Sequence, residues 1–130
     1  MPVDHIRLSR TGRDQLVTLK RRTGIAHWNV LCRWALCRSL AEPSAPPAAK
    51  LPSDGNVEMT WRVFAGNHGD ELWALLRQRC HQEGLALDEE TLGQQFRLHL
   101  HRGIGYLIGD PRLTNIAGLL TIGIDEPPTA

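Results

Sequence analysis

The residues able to do chemistry in this chain are six histidines, three cysteines and a series of arginines, and their spacing limits what they can do. His99 and His101 are two apart. On a helix that turns them about 200° from one another, so they cannot close on one metal ion. Cys80 and His81 are adjacent and fail for the same reason, while Cys32 and Cys37 stand about 140° apart around a helix axis. No C-x-x-C or H-E-x-x-H spacing exists, nor a phosphate loop, a G-x-S-x-G elbow or a dinucleotide glycine fingerprint. Gly103-Ile104-Gly105 falls inside a helical pattern and reads as a packing notch. Glu89 and Glu90 are adjacent at a helix start, where acidic residues suit the dipole. Cys32 and Cys37 lie on an apolar helix, without the electropositive, accessible setting that activates a thiol. The expectation is a non-enzymatic chain with no catalytic residue, no cofactor and no metal, its three cysteines buried as thiols.

What remains is charge. The formal net charge of +1 hides a segregation. Residues 1–41 carry Arg7, Arg10, Arg13, Lys20, Arg21, Arg22, Arg33 and Arg38 against Asp4 and Asp14, whereas the rest of the chain is net acidic. Such asymmetry marks either a basic working face on an acidic body or an unevenly solvated surface. Leu16 and Leu19 define the apolar side of the first helix, with Lys20 and Arg13 beside them. Arg21 falls on the side of Asp14, with which it can pair, and Arg22 lies further round. Lys20 either snorkels along the apolar stripe or lines a basic groove between subunits. Arg33 and Arg38 interrupt an apolar helix and need partners there, Glu71 being one candidate for them. Arg77 and Arg79 read as surface charges.

The elements that must position these residues follow from periodicity and punctuation. His5-Ile6-Arg7-Leu8-Ser9 alternates as a strand. Ser9 or Thr11 can cap a helix running to about residue 23, with Asp14 favouring its first turn, and Gly24 suits a left-handed C-terminal stop. A second helix over residues 28–40 is apolar almost all round, so it is to be buried by the C-terminal helices or by a partner subunit. Residues 42–56 hold Pro43, Pro46, Pro47 and Pro52 and form a connector. Residues 59–65 read as a short strand, Gly66-Asn67-His68-Gly69 as a turn, and Asp70 as the cap of a third helix ending at Gly84. A fourth helix, capped by Asp88, reaches about residue 108, with a bend or close helix packing expected at Gly103 and Gly105. After Pro111 the tail is apolar, with Gly118 and Gly123 weakening any helix, and residues 125–130 are expected to fray.

At 130 residues, with 42% hydrophobic and 22% charged residues, the composition is that of one ordinary globular domain. No apolar run approaches the ~20 residues needed to span a bilayer, and the N-terminus lacks a secretory pattern. The expected location is the cytoplasm. The expected architecture is mainly α: a ribbon-helix-helix-like unit over residues 5–41, a Pro-rich connector over 42–58, and a short strand plus two or three further helices over 59–124.

Two resemblances sharpen this. The order strand, helix, Gly-bounded turn, helix resembles a ribbon-helix-helix unit, which dimerises by pairing its strand into a ribbon that can enter a major groove. More specific are Leu19-Lys20-Arg21-Arg22-Thr23-Gly24-Ile25, Asn29-Val30-Leu31-Cys32-Arg33 and Ala35-Leu36-Cys37-Arg38-Ser39-Leu40. With Leu75-Leu76-Arg77-Gln78-Arg79-Cys80 and Gln95-Phe96-Arg97-Leu98-His99-Leu100-His101-Arg102-Gly103, these resemble the DndE family over about residues 5–108. Ala26-His27-Trp28 departs from the shorter helix entry of the family pattern. The resemblance implies a non-catalytic component of the machinery that replaces a non-bridging phosphate oxygen of DNA by sulfur, beside an iron–sulfur subunit and an ATPase-like subunit. It implies a helical homotetramer that binds duplex DNA, preferentially nicked, through basic side chains. The candidate DNA-binding residues are Lys20, Arg21 and Arg22, with Arg13 and Arg7. An assembly adaptor without DNA contact and a ribbon-helix-helix repressor reading bases through His5, Arg7 and Ser9 are the alternatives.

Overall fold

A computed structural model describes residues 5–124; the fraying expected of residues 125–130 lies outside them. Strand β1 (His5–Arg7) leads into helix α1 (Arg10–Thr23) and helix α2 (Trp28–Leu40). After the connector come strand β2 (Glu58–Thr60), the short helix α3 (Trp61–Ala65), α4 (Gly69–Gln82), α5 (Glu89–Gly109) and α6 (Ile116–Ile124). The local chemistry of α1 is as expected at both ends. Ser9 Oγ accepts the Gly12 N–H at 3.0 Å, and Gly24 adopts φ 74° beyond the last turn. Because the helix starts at Arg10, Asp14 falls beyond its first turn.

The strand of the N-terminal unit pairs within its own chain. β1 and β2 are antiparallel, with Ile6 opposite Met59 and both side chains buried. The two-stranded ribbon therefore joins the start of the chain to the end of the connector. The expected strand over residues 59–65 is only its first part. Thr60 ends β2 and its hydroxyl accepts the Val63 N–H at 3.2 Å, starting α3. Trp61, Phe64 and Ala65 are buried and Val63 is 55% exposed. That is an i, i+3, i+4 face, a helical period where a two-residue alternation was read. Asp70 likewise lies inside the first turn of α4, with His68 at the cap position. α6 forms despite its glycines, and Gly118 is required by close packing, since an added Cβ would meet the Arg112 carbonyl oxygen at 1.9 Å. Asn115 Oδ1 accepts the Gly118 N–H at 3.1 Å.

The core draws on both halves of the chain: Leu16 and Leu19 from α1, Leu31 and Leu36 from α2, and Leu92, Phe96, Leu100, Ile104 and Leu107 from α5. α2 and α5 make the most extensive helix contact, so the apolar second helix is buried chiefly by the C-terminal half. Trp61, Phe64, Trp73 and Phe96 form an aromatic cluster with contacting ring centroids 5.1–6.0 Å apart, edge-on except for the tilted Trp61–Phe64 pair. Of the three thiols, Cys32 and Cys80 are buried as expected but Cys37 is exposed, on the side of α2 where Val30 and Trp34 are half-buried.

Candidate nucleic-acid interface

Helix α1 is set in place by α5. His101 Nε2 accepts the Ser9 N–H at 3.0 Å while its Nδ1 donates to the Arg97 carbonyl at 2.9 Å. A carbonyl only accepts, so the ring is neutral with its proton on Nδ1. Two residues earlier, the fully buried His99 places Nδ1 2.8 Å from Ser39 Oγ, and that oxygen accepts from Arg102 Nε at 2.9 Å. The other ring nitrogen, Nε2, is buried without a hydrogen-bond partner among the described residues. Burial, reinforced by the charges of Arg102 and Arg79, pushes His99 down to about 4. Burial also lowers His101.

These neutral rings predict an acid-labile fold. A folded pKa below the unfolded value of about 6.5 gives stability that is present above pH 6.5 and lost as pH falls toward 4. For His99 alone the loss is on the order of 2–3 kcal/mol. Urea titrations at pH 7 and pH 4.5 should show the drop, and NMR of the ring protons should find His99 titrating far below its usual range. A His99 midpoint near 6.5 would show that burial and the neighbouring guanidiniums do not hold the ring neutral.

The Pro-rich connector is held by arginines of the C-terminal half. Arg79 donates to the carbonyls of Leu40 at 2.9 Å, of Glu42, and of Ser44 at 2.7 Å, with Glu83 3.5 Å from its Nε. Arg102 reaches the carbonyls of Ser39 at 2.9 Å and Ser44 at 2.8 Å. Arg97 reaches those of Leu51 at 3.0 Å and Pro52 at 3.1 Å. Prolines interrupt the N–H supply of this segment, and guanidinium forks supply the missing donors. Arg79 is thus buried, not a surface charge. Leu72, Leu76 and Arg79 fall at i, i+4 and i+7 on the buried stripe of α4, a signal present in the sequence. Arg33 donates to the Phe64 carbonyl at 2.7 Å, while Glu71 lies by His68 at 3.8 Å.

The expected DNA-facing residues fall into two groups. Lys20, Arg21 and Arg22 share the last turn of α1. Lys20 is half-buried with its Nζ 4.0 Å from the centre of the Trp28 ring, a cation–π contact that neither expected role included. Arg21 is exposed and makes no hydrogen bond or ion pair among the described residues; Asp14, expected beside it, pairs with Arg13 at 3.3 Å instead. Arg22 is exposed and donates to the Ile108 carbonyl at 3.1 Å, at the C-terminal turn of α5. Arg13 and Arg7 stand away from these three, near the start of α1, with Arg7 3.6 Å from Glu58 on the ribbon. Three cations in a last turn also complement the helix dipole, so their grouping serves the fold whatever else it does. Sequence reasoning missed the pair of guanidiniums on Tyr106, Arg38 at 4.8 Å and Arg102 at 5.5 Å from the ring centre. Among the described residues no three histidine, cysteine or acidic side chains meet as a metal-ligand set. No helix among them is long and apolar enough to cross a membrane.

The architecture is that of a small, mainly helical protein with an intrachain two-stranded ribbon and a basic helix end. The family model of DndE, the DNA sulphur modification protein, matches residues 5–115, and the chain belongs to that family. Among solved structures it is similar to DndE from Escherichia coli B7A, which is involved in DNA phosphorothioation modification. The two share 27% identity over 82% of this chain and 98% of that chain, with a TM-score of 0.68. A glycine-to-lysine mutant of DndE shares the fold, at 24% identity over the same shares of the two chains and a TM-score of 0.65. No curated protein matches the chain.

Proposed function

We propose that this protein is a non-catalytic, cytoplasmic DNA-binding subunit of the phosphorothioation machinery. It holds duplex or nicked DNA by its backbone through the basic end of α1 and works beside an iron–sulfur subunit and an ATPase-like subunit. The observation that carries this reading is the exposed last turn of α1, where Arg21 extends without an internal partner between Lys20 and Arg22 in a chain of a DNA-modification family. Cationic reach without fixed base-reading geometry suits phosphates of any sequence. The homotetramer belongs to the same proposal, supported by the large apolar side chains left exposed on α6, Ile116 at 50% and Leu120 at 60%. Less supports the repressor alternative, because one edge of β1 is already paired to β2 within the chain. The adaptor alternative differs in one observable, direct DNA contact.

Fluorescence anisotropy with intact and nicked duplexes of unrelated sequences tests the function. Binding to all of them, falling steeply with salt, is the expected result. No binding at low salt would leave the adaptor reading. Light scattering is expected to give four times the 14.5 kDa chain mass, and a monomer at micromolar concentration would refute the tetramer.

A further inference from the structure

We propose that Arg38 forms a second phosphate-binding point, distinct from the cations of α1, at the pocket beside the C-terminal turn of α5. The pocket, about 450 Å³, is lined by Arg38, Tyr106, Gly109, Asp110 and Arg112 among others. Arg38 is half-buried on α2, and its guanidinium lies over the Tyr106 ring. It makes no hydrogen bond or ion pair among the described residues, so its five N–H donors have no internal acceptor. The other arginines nearby are engaged. Arg102 gives its donors to Ser39 and Ser44, and Arg112 holds the Asp110 carboxylate at 2.9 Å. Hydrogen bonds from Arg112 hold that carboxyl below its usual range, and the charge of Arg38 adds to the effect. Among its lining residues the pocket carries two guanidiniums, Arg38 and Arg112, against the one carboxylate of Asp110. A stacked guanidinium has lost side-chain freedom before any ligand arrives, and its planar fork matches phosphate oxygens.

The inference rests on the DNA reading and extends it. Arg22 is anchored on Ile108 and Arg38 on Tyr106, which lie on nearly opposite flanks of the same turn of α5. A helix with its side chains is about 10–12 Å across. A duplex backbone crossing the helix end can therefore reach both cations with different phosphates of one strand.

The test is a salt-dependent duplex titration of the parent, R38Q and R38K, with ¹⁵N NMR of the parent during titration. R38Q is expected to weaken binding about threefold to tenfold and to reduce the salt slope by about 0.9, with R38K retaining most of the slope. The Gly105 and Gly109 amide signals of the parent should shift as duplex is added. Equal affinity and slope for R38Q, or unmoved Gly105 and Gly109 signals in a parent that binds, would overturn the assignment and leave the DNA reading standing. A parent that does not bind duplex would sink the DNA reading itself. Inorganic pyrophosphate added without DNA separates the sources: a pocket that binds it tightly, while duplex leaves the pocket unchanged, would identify a free-phosphate site and overturn the backbone assignment.

Discussion

Gly103→Ala is expected to unfold the protein or to lower its melting temperature by on the order of 10 °C or more. A Cβ at this position would stand 1.7 Å from the Ala35 carbonyl oxygen and 2.4 Å from its carbon. Both obstacles are backbone atoms of α2, so no side-chain rotation relieves the clash. The helices would have to separate along the most extensive contact in the fold. Overpacking a well-packed core costs about 1–3 kcal/mol and more where backbone must move. For a chain of this size each kcal/mol is roughly 3–6 °C of melting temperature. The intrinsic gain of Ala over Gly in a helix, about 1 kcal/mol, acts in the opposite direction. Gly93 and Gly105, on the same helix, supply the control, because an added Cβ meets nothing within 4 Å at either. Gly93→Ala and Gly105→Ala should therefore be neutral or stabilising by up to about 1 kcal/mol. Thermal melts of the three variants decide it. A Gly103 variant as stable as the Gly93 variant would mean that α2 and α5 are not in this contact.

The pair Gly103 and Gly105 also marks the limit of what the sequence discloses. Both interrupt one helical pattern, and a bend or close packing was the reading for both. Which glycine faces α2 depends on the rotation of α5 against a partner distant in the chain, and no local pattern encodes that. Elements with their own punctuation were legible: α1 between Ser9 and Gly24, and α2 at its full extent over Trp28–Leu40. The strand expected over residues 59–65 gives way to helix after Thr60: the five residues Trp61–Ala65 are too few to separate a period of two from one of 3.6, and Thr60 serves equally as strand end and helix cap.

The candidate site divides in the same way. The basic character of residues 1–41 was visible as composition, and Lys20, Arg21 and Arg22 do share a turn. The partners that distinguish one cation from another were not visible. Trp28 beneath Lys20, the Ile108 carbonyl beside Arg22 and Asp14 beside Arg13 depend on how helices meet and which side-chain conformers follow. The connector was legible as Pro-rich, yet nothing local foretold that Arg79, Arg97 and Arg102, remote in sequence, would supply its missing donors. A guanidinium that serves a buried carbonyl and one that faces a phosphate are the same letter in a sequence. Burial tells them apart.

Changing Lys20, Arg21 and Arg22 together to Ala is expected to weaken binding to every duplex about equally, by tenfold or more at low salt, and to flatten the salt dependence. Each phosphate neutralised contributes about 0.9 to the slope of log affinity against log salt. Three such contacts account for roughly 1.6 decades of the affinity lost between 50 and 200 mM salt, so the variant should lack that part of the decline. The fold should survive. Leu16 and Leu19 stay fully buried beneath the helix. The losses are one cation–π contact, worth about 0.5–1 kcal/mol at an exposed site, one exposed hydrogen bond from Arg22, and a favourable dipole interaction of similar small size. The structure adds a graded expectation within the triple change. Arg21, which has no internal partner among the described residues, should account for a larger share than Lys20, whose charge is already held over Trp28. Arg7→Ala should matter least, because that side chain lies by Glu58 on the ribbon. A base-reading ribbon predicts the reverse order, with Arg7→Ala erasing preference for one sequence and the triple change leaving that preference intact. Anisotropy titrations of the folded variants on intact and nicked duplexes, each at several salt concentrations, separate the two models. A folded triple variant that binds as the parent does would remove α1 from the DNA face and leave the basic helix end to a protein partner.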